Sequence, residues 1–108
     1  MEYTPDSWVI IKIKKDDDTF YKVLAGWASS YLYGSSWKLN SGIKNVESDN
    51  NVYRFIGESG SVYVCSKHSY GLRMATAGVW DQLQKRYPDN VELMEDCDWS
   101  RVVWNENS

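Results

Sequence analysis

The sequence is poor in the residues on which most recognisable chemistry is built. It has one histidine, His68, and two cysteines, Cys65 and Cys97. A Ser-His-Asp set would need His68 as its base, and no partners at a telling spacing accompany it. Zinc sites use four ligands at close spacing, whereas Cys65, His68 and Cys97 offer three. The cysteines read as free thiols of a reducing cytoplasm rather than a disulfide. No apolar run approaches about eighteen residues, so no membrane-spanning helix is expected. The opening Met1–Trp8 lacks the basic and apolar segments of a signal peptide. A basic excess is missing as well: twelve Lys and Arg stand against fifteen Asp and Glu, a net charge of −3. Proteins that hold the phosphate backbone carry a basic stripe, so direct nucleic-acid binding is not expected. The acidic excess is too small for a mimic of DNA.

What the chain has instead is rings. Six Trp and eight Tyr stand beside only two Phe, 15% aromatic in 108 residues. Trp and Tyr combine large apolar area with a polar handle, which suits cores and interfaces alike. A chain this short builds one domain, residues 1–108, with one modest core. Such a core does not easily hide every ring, and exposed rings point to a binding surface.

The patterning predicts an α+β fold, an antiparallel meander sheet of five to seven short strands with one amphipathic helix packed on it. Val9, Ile11 and Ile13 alternate with lysines, the period of a half-buried strand. Lys15–Asp18 reads as a hairpin loop, and Thr19–Trp27, apolar on both faces, as a central strand. Trp37–Leu39 and Ile43–Glu47 follow as short strands around an Asn40-Ser41-Gly42 turn, with a bulge suggested where Ile43 and Val46 break alternation. Val52–Gly57 and Ser61–Cys65 form a hairpin. Leu72, Ala75, Val79, Trp80, Leu83 and Tyr87 then recur at helical steps, stopped by Pro88. Gly78 inside that helix suggests close packing. Val91–Met94 reads as a last edge strand. The tail, 95–108, carries Trp99, Val102, Val103 and Trp104, and is expected to dock on its own sheet or on a partner.

Candidate sites are few. Tyr31-Leu32-Tyr33-Gly34-Ser35-Ser36-Trp37 has the composition of a recognition loop, with aromatic anchors among adaptable Ser and Gly. With Trp99 and Trp104, the residues Tyr31, Tyr33 and Trp37 form the expected protein-binding set; the plain alternative is that some of them fill the core. His68, Ser69, Tyr70, Gly71 and Arg73 lead toward the helix, where unpaired N–H groups attract anions, and could hold a phosphorylated nucleotide. An ordinary Ser69 cap explains the same residues. Cys65 with Lys67 and His68 is the one combination resembling an activated thiol, though a core thiol beside a surface histidine accounts for it more simply. Asp16, Asp17 and Asp18 read as solvated loop charge, and Glu58-Ser59-Gly60-Ser61 as a hairpin turn without the order of a phosphate-binding loop. No metal or cofactor is expected.

The run SWVIIKIK, YKVLAGW, SWKLNSGI, GESGSVYVC and SYGLR, across roughly Ser7 to Leu83, resembles a family of small uncharacterised proteins encoded by tailed bacteriophages. Its marks are Trp37-Lys38-Leu39-Asn40-Ser41-Gly42 and Gly60-Ser61-Val62-Tyr63. The family offers no catalytic residues to carry over. The resemblance implies a phage accessory protein in the host cytoplasm that binds and inhibits a bacterial defence or host protein without catalysis of its own. The alternatives are a sponge for a cyclic or other phosphorylated nucleotide, which would suit a homo-oligomer, and a cysteine-dependent enzyme.

Overall fold

The computed structural model describes residues 1–28 and 36–104. Its frame is the hairpin of β2 (Ser7–Lys15) and β3 (Asp18–Trp27), paired from Ser7↔Gly26 to Lys15↔Asp18. Asp16 takes a positive φ of 56° in the turn, a conformation that Asp tolerates. The half-buried reading of β2 needs correction in its first half. Trp8 and Ile10 are buried on one face, Val9 and Ile11 on the other. The strand emerges toward solvent only at Lys14 and Lys15. As expected, β3 is central and apolar on both faces.

The α+β class matches the sequence, but the sheet does not continue as one meander. Among the described residues, eight strands divide between two four-stranded sheets. One runs in the order β4 (Ser36–Leu39), β3, β2, β8 (Val91–Leu93). The other runs β1 (Glu2–Tyr3), β7 (Val62–Ser66), β6 (Val52–Gly57), β5 (Ile43–Ser48). The chain changes sheets at Asn40–Gly42. Asn40 pins that corner: its N–H donates to Val23 O at 3.0 Å and its Oδ1 accepts the Val23 N–H at 2.9 Å. Gly42 then takes a φ of 131°. The predicted bulge lies between Ile43 and Asn45. The short β1, parallel to β7, had no sequence signal.

The two sheets enclose a ring-filled core of Trp8, Tyr21, Tyr53, Phe55, Tyr63 and Trp99 together with Ile10 and Val23. Helix α1 (Met74–Arg86) covers the opposite face of β2 and β3, where Trp80 packs among Val9, Ile11 and Leu24. The molecule thus has three layers, with the β4-β3-β2-β8 sheet in the middle. Helix α1 starts beyond the predicted Ser69 cap, because Ser69 O and Gly71 N–H are bonded to the Trp8 backbone and hold 69–71 beside β2. Arg73 takes the cap position, its N–H donating to the Thr76 hydroxyl at 2.9 Å. Close packing falls on a different glycine from the one expected. A Cβ on Gly26 would meet Thr76 Cγ2 at 2.8 Å, whereas Gly78 faces open space. The tail docks on its own sheets through a 3-10 turn, Trp99–Arg101. Among the described residues no helix is long and apolar enough to cross a membrane.

Candidate protein-binding edge

β4 is an outermost strand and only four residues long. Its direction of display follows from register. Trp37 pairs with Gly26 and Leu39 with Leu24, and cross-strand partners share a face. Gly26 and Leu24 face α1, so Trp37 and Leu39 do too. Lys38 points the other way, with its Nζ 5.0 Å from the centre of the Tyr3 ring.

Leu39 is drawn into the packing under the helix, but Trp37 remains 48% exposed. Beside it a groove of about 730 Å³ runs along α1, lined by Met74, Gly78, Val79, Leu83 and Tyr87. Met74 is 88% and Tyr87 47% exposed. Among the described residues the groove is open because Gly78 contributes no side chain and the sheet ends at β4. Arg86 is, among the described residues, the one formally charged side chain in its lining. The helix's only acidic residue, Asp81, is held by Lys85 at 2.9 Å. Met74, Tyr87 and the Trp37 indole exposed together, beside the half-buried Val79 and Leu83, are more than a scatter of surface hydrophobics.

The remaining site residues fall into separate environments. Trp99 is completely buried, its ring 6.3 Å from Trp8 and 5.7 Å from Tyr70. Its assignment as a contact residue is therefore corrected: the 3-10 turn drives it into the core, where the sheets need ring area. Trp104 stacks on Trp99 at 6.2 Å and meets Tyr21 edge-on, remaining partly exposed. Tyr31 and Tyr33 lie outside the described residues.

The nucleotide-binding set is engaged in structure. Tyr70 accepts the Ile10 N–H at 3.1 Å, donates to Met94 O at 2.6 Å, and packs edge-on to Trp8 at 4.8 Å. Burial pushes its phenol up to about 12. Gly71 N–H donates to Trp8 O, and Ser69 O accepts the Trp8 N–H. These bonds stitch 69–71 to β2 and occupy the Tyr70 hydroxyl. Only His68 and Arg73 of the set are exposed.

Cys65 lies fully buried in the ring-filled core, and burial pushes its thiol far up, so it carries no thiolate at neutral pH. Cys97 is exposed, with its thiol raised by partial burial and by the neighbouring Asp96 and Asp98 carboxylates. Among the described residues no three His, Cys, Asp or Glu side chains are grouped to hold a metal ion.

Met74, Gly78, Arg86 and Lys38 were missed from sequence. No protein-family model, curated protein or solved structure matches this chain.

Proposed function

We propose that this chain is a non-catalytic accessory protein of a tailed bacteriophage that acts in the host cytoplasm by binding and inhibiting a bacterial host or defence protein. The observation that carries the binding reading is the half-exposed Trp37 on an edge strand, opening onto an apolar groove along α1. Tryptophan is among the residues enriched as anchors of protein interfaces. The phage setting and the inhibitory outcome draw on the sequence resemblance alone.

The experiment is native mass spectrometry of tagged wild-type and Trp37→Ala chains purified gently from infected bacterial cells. The proposal expects a host protein at fixed stoichiometry with the wild type and its loss with the variant. A partner retained in full by Trp37→Ala contradicts the site. A bound mass of a few hundred daltons and no protein contradicts the reading itself and returns attention to Arg73.

A further inference from the structure

Resting on the reading of Trp37 as a partner-binding residue, we infer that the partner enters as a strand. An extended, acidic segment of another protein adds to the outer edge of β4, with its alternate apolar side chains lying in the groove along α1.

The backbone supplies the first part of the argument. The bond from Asn40 N–H to Val23 O makes Asn40 and Val23 a hydrogen-bonded pair. Bonded and non-bonded pairs alternate along an antiparallel ladder. The pairs Leu39↔Leu24 and Trp37↔Gly26 are then both non-bonded, and the N–H and C=O of Leu39 and Trp37 point away from β3. Among the described residues no strand takes up those groups. Donors and acceptors at alternate residues of an uncovered edge are the template for strand addition.

Side-chain space supplies the second. A strand beside β4 sends successive side chains to opposite faces of the sheet, and both faces are hollow there. Toward α1 lies the apolar groove; on the other face a concavity of about 430 Å³ is bordered by Tyr3, Trp27, Ser36 and Lys38. One row of an added strand therefore meets Trp37, Val79 and Leu83, and the other meets a more polar surface. A helix seated in the groove would use only the apolar wall and leave the β4 backbone unpaired.

Charge selects the occupant. Arg86 in the groove and Lys38 on the opposite face form no ion pair among the described residues, while Glu2, which also borders the second concavity, faces Arg54 at 3.4 Å. Carboxylates on the incoming strand complement both cations. A second copy fits less well, because pairing two β4 edges antiparallel brings their Lys38 side chains together, the device by which edge strands resist self-association.

The test sorts random ten-residue peptides displayed on yeast against the full chain and resynthesises those enriched. The inference expects apolar residues alternating with Asp or Glu. N-methylation of the alternate residues facing β4 should weaken binding about tenfold or more, with little effect in the other register. Lys38→Glu or Arg86→Glu should each weaken binding about five- to tenfold. Peptides with apolar residues at three- and four-residue spacing, or insensitive to N-methylation, yet dependent on Trp37, overturn strand addition and leave the Trp37 reading standing. No enrichment over an unrelated bait, or binding unchanged by Trp37→Ala, overturns both. A chain that sediments as a dimer, dissociated by Lys38→Glu or Trp37→Ala, replaces the acidic partner with a second copy.

Discussion

Trp99 and Trp37 carry the same side chain into opposite surroundings. Trp99 arrives late in the chain, in a polar and acidic stretch, and ends with no exposed surface among Trp8, Tyr70 and Trp104. Trp37 sits in a strand, where an apolar ring is ordinarily half-covered by the sheet, and stays 48% exposed. The difference lies in what stands opposite each ring. Trp99 closes the gap between two sheets, while Trp37 overlooks a glycine on its neighbour strand and a glycine on the helix. Aromatic content alone therefore does not mark a binding surface; a ring does so when the layers around it stop short.

That contrast is sharpened by substitution, beginning in the core. Trp99→Ala removes a fully buried indole and should cost about 3–5 kcal/mol in urea unfolding. A loss below about 1 kcal/mol would mean that the tail is dispensable and the core closes without it. Tyr70→Phe keeps the ring but leaves the Ile10 N–H and Met94 carbonyl unpaired, and should cost about 1–3 kcal/mol. Its pH dependence has a definite sign. The folded phenol titrates near 12, above its ordinary value, so the stability it contributes is complete below about pH 10 and is lost as pH rises through 12. Tyr70→Phe should flatten part of that alkaline decline, with Tyr53 and Tyr63, also raised by burial, retaining a remainder.

The two glycines give the next contrast. Gly78→Ala places a methyl in open space on an exposed helix and should stabilise the fold by about 1 kcal/mol. Gly26→Ala should destabilise it, because Thr76 occupies the position of the new methyl. A thermal-unfolding comparison in which both variants lose stability would show that the helix lies closer to β4 than the groove requires.

Local pattern made much of this legible. Period-two alternation located the strands, and the broken alternation at Ile43 and Val46 located the bulge. What escaped was decided by pairing at a distance. Asn40-Ser41-Gly42 announces a turn, but whether the chain folds back on β4 or crosses to another sheet depends on Asn40 bonding to Val23, seventeen residues away. The lysines after Ile11 suggested a solvated face of β2, yet Trp8 and Ile10 on that same face lie under the second sheet. Ser69 had the chemistry of a helix cap, but its carbonyl and the Gly71 N–H are taken by Trp8, more than sixty residues away, and the helix begins only after Arg73. At the site, Trp37 was legible as a residue, and the groove was not, because an absence of side chains between Gly78 and the sheet edge has no sequence signature of its own.

The most direct measurement is urea unfolding of wild type, Trp99→Ala and Trp37→Ala side by side, followed by far-UV circular dichroism so that the lost indoles do not alter the signal. Trp37→Ala should unfold within about 0.5 kcal/mol of wild type while Trp99→Ala falls by several, as surface and core truncations do. A Trp37→Ala variant as damaged as Trp99→Ala would place Trp37 in the core and contradict the account of β4 as an open binding edge.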